Sequence, residues 1–342
     1  MIPSTRNRSF AAEWDPQDGI LIAWPHAGTD WAYMLDEVTA CYVELARAIL
    51  QDDERLLIVA PDADEVKSAL GPDVDWRRIC IVEMATNDTW VRDYGPITVN
   101  DKLADFTFNA WGMKFAADCD NLVTSRLDEK GIFTLPLLNY RDLVLEGGSI
   151  ETDGHGTVMT TTSCLTAPNR NDALTREQLE KVLLERLGCV KMIWLNNGSL
   201  EGDDTDGHID TLARFAPGGI ILYNGCDDTH DEHFEPLMKM EQELKEMTDV
   251  DGNHYRLVKL PLPGAMYDEI SRLPATYANF LVMNHQVLVP VYGQAENDVK
   301  ACELIGQAFP GRKVIAIDCR ALICQHGSLH CATMQLPKGS LK

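Results

Sequence analysis

The amino-acid sequence predicts one closed α/β domain over residues 1–342, in which a hairpin of two short strands, a helix and a further strand recur about a central axis. Three observations carry that prediction. Four segments repeat this order of elements, and a fifth copy forms when the two ends of the chain are joined. The polar residues suited to catalysis fall at an equivalent place in each copy.

In chain order, GILIAW reads as a strand, DEVTACYVELARAIL as an amphipathic helix and RLLIVA as a strand. The missing hairpin partner of GILIAW is CATMQL at the far end, so pairing the two closes the ring and removes a sheet edge. PITVN, DKL and ADFTF form the next hairpin, before a weaker helical stretch from Asp120 to Glu129 and a strand near Phe133. GSIET, the turn DGHG and TVMTT precede the helix LTREQLEKVLLERL and the strand VKMIWL. HIDTLARF and IILYNG flank the turn PGG, whose glycines suit a tight hairpin; the helix EHFEPLMKMEQELKEM and the strand YRLVKL follow. NFLVM, NHQ and VLVPVYG lead to the helix AENDVKACELIGQAF and the strand KVIAID.

With 45% apolar and 24% charged residues, the composition is that of a globular protein. The formal net charge is −23, from 53 acidic and 30 basic residues. Such a surface offers no basic face for nucleic acid or an anionic membrane, and its field attracts a small cationic substrate. The opening MIPSTRNRSFAAEW has no apolar stretch of the kind that follows the basic region of a secretory signal, so a cytoplasmic location is expected. The ten cysteines contain no C-x-x-C pair, which argues against a disulfide framework or structural zinc. The acids around His208 in DDTDGHID lack the spacing of a calcium loop, and His326, His330 and Cys331 lack a second ligand cluster.

The candidate site residues are Asp93 in WVRDYGP, Glu146 in LEGGS, His208 and Asp210 in DDTDGHID, Asn279 in YANF and Cys331 in HGSLHC. Each lies at or just before the first hairpin strand of a copy, so a ring with those strands innermost brings them together. A thiolate is a nucleophile, and an imidazole delivers and removes protons. Carboxylates bind a planar guanidinium through paired charged hydrogen bonds. This set suits a guanidinium better than a neutral amide, which would leave buried carboxylates unpaired.

EWDPQ with IAWPH, NDTWVRDYGP, LEGGSIETDGHGT, TTSCL with NRN, DDTDGHIDTLARF and HGSLHCATMQLP together resemble the agmatine deiminase and bacterial peptidylarginine deiminase family, from about Glu13 to Pro337. The resemblance implies a guanidino-group-modifying hydrolase with the five-bladed α/β propeller (pentein) fold, acting without a metal or organic cofactor. It implies Cys331 as nucleophile, His208 as proton shuttle, Asp93 and Asp210 as the guanidinium clasp and Glu146 as support for His208. Trp90 and Asn279 would also contact the substrate. Agmatine is the favoured substrate, giving N-carbamoylputrescine and ammonia, with peptidyl-arginine as the alternative. The chain departs from the closing G-G-G-N-I-H-C of many agmatine deiminases in having Gly327-Ser328-Leu329-His330-Cys331. An amidinotransferase, a polyamine-binding module and a homo-oligomer are all compatible with the sequence.

Overall fold

The computed structural model describes residues 10–342; most of the basic N-terminal segment, residues 1–9, lies outside them. Five separate sheets share one plan. An antiparallel hairpin is followed by a helical crossover to a third strand, which pairs in parallel with the second strand of the hairpin. In sheet terms the triplets are Ile97–Val99, Lys102–Thr107 and Leu137–Val144; Ile150–Thr152, Thr157–Thr161 and Lys191–Leu195; Ala213–Ala216, Ile220–Asn224 and Arg256–Leu260; Leu281–Val282, Gln286–Val291 and Lys313–Asp318. In the fifth sheet, Met334–Pro337 pairs antiparallel with Gln17–Ala23, which pairs in parallel with Arg55–Ala60. The ends of the chain therefore join in one sheet, as the pairing of CATMQL with GILIAW anticipated.

Local sequence accounts for the elements. Thr157–Thr161 and Ile220–Asn224 are buried along their whole length, as middle strands covered on both faces must be. The VNDK turn places Asn100 and Asp101 at φ 49°, and the PGG turn places Gly218 and Gly219 at φ 80° and 70°; these paired left-handed positions match the twist of a two-residue hairpin. The helix Arg176–Leu187 begins with a Thr175–Gln178 capping box and ends on left-handed Gly188.

Three details differ from the sequence reading. The strand expected near Phe133 is Leu137–Val144, because Pro136 offers the ladder no N–H; Phe133 keeps only an isolated bridge to Leu341. The strand expected to start at His208 begins at Ala213, because Ile209–Thr211 form a 3₁₀ turn that carries Asp210 inward. The joined sheet gains a fourth strand, Ile79–Glu83, parallel to Arg55–Ala60. Among the described residues no helix is long and apolar enough to cross a membrane.

Candidate active site

Each sheet contributes a side chain from just upstream of its first strand: Asp93 before Ile97–Val99, Glu146 before Ile150–Thr152, His208 and Asp210 before Ala213–Ala216, Asn279 before Leu281–Val282, and Cys331 before Met334–Pro337. All six are buried and they form one cluster. Asn279 Nδ2 donates to Cys331 Sγ at 3.2 Å, while its Oδ1 accepts from the His330 and Cys331 amides at 2.9 and 3.2 Å. Asp210 Oδ2 lies 3.7 Å from Cys331 Sγ. His208 Nε2 contacts Glu146 Oε2 at 3.1 Å, and its Nδ1 lies 3.7 Å from Asp93 Oδ1. Asp93 is fixed by the Gly148 amide at 2.8 Å and the Trp111 indole at 2.9 Å. Two buried polar atoms in the cluster, His208 Nδ1 and Asp210 Oδ1, have no hydrogen-bond partner among the described residues.

The charges follow from these contacts. Burial acts to lower the His208 pKa, but the Asp93 carboxylate, the Cys164 sulfur and the Glu146 carboxylate together outweigh it and hold the ring well above its ordinary value. Burial acts to raise Glu146, but its bonds to His208 and to Arg170, whose Nε lies 3.1 and 3.0 Å from its two oxygens, keep it ionised. Asp93 is pushed up to about 6 by burial, with His208 opposing and the Asp210 and Glu146 anions adding to the rise. Burial, then Asp210 and Asp93, push the Cys331 thiol well above its ordinary value, and the Asn279 amide opposes them only partly. A cation placed between those carboxylates reverses their effect on the sulfur.

A cleft leads from solvent to this cluster. Asp93 and Cys331 form its floor, Trp90, Trp111 and Phe115 its aromatic walls, and Asp30, Asp88 and Asp204 its acidic lining. Among the described lining residues there is no lysine or arginine. His208, Asp210 and Asn279 are buried and do not line the cleft, but each touches one of the two floor residues: His208 touches Asp93, and Asp210 and Asn279 touch Cys331. Glu146 lies behind His208. Burial raises Asp88 to about 7. Left-handed, non-glycine backbone at Trp111 (φ 54°), Asp206 (φ 68°) and His326 (φ 66°) surrounds the cleft, and it is at binding sites that such strain concentrates.

Sequence reasoning passed over several contributors. Trp111 lies in a stretch that has no helical period; only its backbone turn aims the indole at Asp93. Gly148, beside Glu146, has no side chain and so leaves room between His208, Asp93 and Asp210. Arg170, in the NRN segment, is the counter-ion of Glu146. Donor atoms compact enough for a metal ion occur at Glu146–Cys164–His208, Asp52–Asp53–His285 and Asp231–Glu232–His233. The first of these already carries Arg170 against its carboxylate. His326, His330 and Cys331 do not form such a group.

Fold and cluster together define a buried thiol–imidazole–carboxylate centre at the meeting point of five α/β sheets. The chain belongs to the Porphyromonas-type peptidyl-arginine deiminase family, whose model matches residues 9–337. It is similar to a Porphyromonas gingivalis protein, described as a "Putative Arginine Deiminase", whose crystal structure superposes with a TM-score of 0.93 at 51% identity, covering 98% of this chain and 100% of that one. It is also similar to a C. jejuni agmatine deiminase solved with substrate bound, at 38% identity and a TM-score of 0.89, covering 98% and 97% of the two chains. A Legionella pneumophila relative, described as a "Putative agmatine deiminase", is 35% identical over 96% of this chain and 94% of its own.

Proposed function

We propose that this chain hydrolyses agmatine to N-carbamoylputrescine and ammonia, with Cys331 as the nucleophile. The observation that carries the reading is the cleft: a thiol and a carboxylate at its floor, aromatic walls and an acidic lining, without a lysine or arginine among the described lining residues. Such a cleft accepts a dication with an apolar middle and repels the α-carboxylate of free arginine. The five sheets would stand as blades of a five-bladed propeller in one domain over residues 1–342. Five upstream segments meeting at one cluster support that arrangement. A cytoplasmic role in putrescine formation accords with this reading.

The guanidinium lies between Asp93 and Asp210, whose free Oδ1 is an open acceptor. Its charge lowers the proton affinity of Cys331, which releases its proton to water. The thiolate then attacks the guanidinium carbon. His208, facing the cluster through its unpartnered Nδ1, protonates the departing nitrogen as the C–N bond breaks and ammonia leaves. The thiouronium that remains is attacked by a water that passes a proton to His208. The C–S bond breaks, the remaining hydroxyl proton passes to solvent, the thiolate returns and the neutral ureido group departs. Glu146, held anionic by Arg170, stabilises the imidazolium between the two steps.

Incubation with agmatine, free arginine and an arginine-containing peptide tests the reading through ammonia release. Agmatine alone should turn over; preferential turnover of the peptide would move the substrate assignment, and no ammonia from any of the three would refute deimination. The pH dependence is a second expectation. Asp93 must be ionised to bind the guanidinium, and burial raises it to about 6. Asp88, in the cleft wall, is raised to about 7. As pH falls through these values the acids gain protons and the attraction is lost, so kcat/KM for agmatine should fall steeply from neutral pH toward about 5. A profile flat over that range would contradict the assigned roles.

A further inference from the structure

His330 precedes the nucleophile, is fully buried and has no part in the steps above. Its Nδ1 lies 2.7 Å from Asp210 Oδ2 and its Nε2 lies 2.6 Å from Glu13 Oε1. A neutral imidazole has one donor and one acceptor, so bonding to two carboxylates requires a second proton. The groups facing the ring are the Asp210 and Glu13 carboxylates and the Arg214 and Arg92 guanidiniums, with Glu151 paired to Arg214 on its far side. Burial and the guanidiniums act to strip the ring of its proton. The two short contacts decide otherwise, because a bare Nε2 at 2.6 Å would set its lone pair against that of Glu13.

Glu13 is itself held in place. It accepts from Gln335 Nε2 at 3.0 Å, lies 3.3 Å from Arg92 and pairs with Arg214. The ring therefore bridges an anchored carboxylate in the N-terminal segment to Asp210, which sits on a 3₁₀ turn. That bridge takes up Asp210 Oδ2 and leaves Oδ1 without a partner.

We infer that His330 is a positioning residue for substrate binding: braced by Glu13, it donates to Asp210 Oδ2 and so presents the free Oδ1 to the guanidinium. The inference rests on the reading of Asp210 as half of the guanidinium clasp. Loss of the bridge frees the Asp210 carboxylate to rotate and to take up a proton at higher pH. Both effects fall mainly on binding, since the His330 side chain touches neither the sulfur nor the departing nitrogen, and the 3.7 Å contact of Asp210 with Cys331 carries the smaller change in kcat.

The test compares His330→Ala, His330→Asn and Glu13→Gln, with circular dichroism to verify folding. His330→Ala should raise KM for agmatine about tenfold with a much smaller change in kcat, since one hydrogen bond to a charged group is lost. Its acidic limb of kcat/KM should move to higher pH and steepen, because Asp210 then titrates beside Asp93. An asparagine at 330 can donate from the place of Nδ1 and should recover part of both effects. Glu13→Gln, which alters the far side of the His330 ring from Asp210, should shift KM and the limb in the same direction by less, and decides the matter if the position 330 variants fail to fold. Calorimetric binding of agmatine in a Cys331→Ala background, with and without His330→Ala, reads the same quantity without turnover. Those measurements remain decisive even if the native enzyme releases no ammonia, an outcome that would count against the proposed function and not against His330. A loss confined to kcat with an unmoved acidic limb, Glu13→Gln indistinguishable from the native enzyme, or unchanged calorimetric affinity would overturn the inference.

Discussion

Cys331→Ala is expected to reduce ammonia release from agmatine by about 10⁴-fold or more, the scale on which an enzyme loses a covalent nucleophile. The substitution removes the sulfur that Asn279 Nδ2 contacts and leaves the Asn279 bonds to the 330 and 331 amides in place. The clasp for the guanidinium survives, so agmatine should still bind while turnover is lost. The other buried thiol of the cluster, Cys164, provides the contrast. It lies 3.8 Å from Glu146 Oε2 and beside the His208 ring, but it does not line the cleft, and Cys164→Ala should leave substantial activity. Steady-state rates of both variants check the point. Turnover of Cys331→Ala above about one per cent of the native rate would show that another group carries the attack.

Gly148→Ala is expected to cost at least about 10²-fold in kcat/KM, for a reason confined to geometry. A Cβ there would lie 2.6 Å from His208 Nδ1, 2.9 Å from Asp93 Oδ1 and 3.0 Å from Asp210 Oδ2. The added methyl would enter the space between the proton shuttle and both halves of the guanidinium clasp. At least one of these groups must then shift, and overpacking of this kind costs about 1–3 kcal/mol of stability. Gly147 separates the two effects. A Cβ at that position would lie 2.2 Å from the Arg92 carbonyl oxygen, so Gly147→Ala strains backbone rather than chemistry and should lower the melting temperature more. Kinetics and thermal melts of the pair distinguish the two cases. Gly148→Ala with activity within threefold of native would mean that the guanidinium lies elsewhere.

Much of this was legible in the sequence because the repeated hairpins and helices each carry their own local signals: glycine turns, a capping box and apolar periods. The convergence of Asp93, Glu146, His208, Asp210, Asn279 and Cys331 was readable because each precedes an equivalent strand. What stayed hidden depends on long-range contact. Glu13 lies far along the chain from His330, yet the two side chains touch. His330 was set aside as a zinc ligand for want of a second cluster and given no other role, whereas the structure sets both its nitrogens against carboxylates. Trp111 reaches Asp93 through left-handed backbone that no hydrophobic period signals. The strand near Phe133 was displaced by one proline, a local rule that the repeat pattern had masked.

The central claim is covalent attack by Cys331 on a guanidinium carbon, and intact-protein mass spectrometry of acid-quenched enzyme during agmatine turnover tests it most directly. The account predicts a species heavier by agmatine less ammonia, mapping to the peptide that contains Cys331 and absent from Cys331→Ala. An adduct on Cys164 or any other thiol, or on a residue other than cysteine, would contradict it.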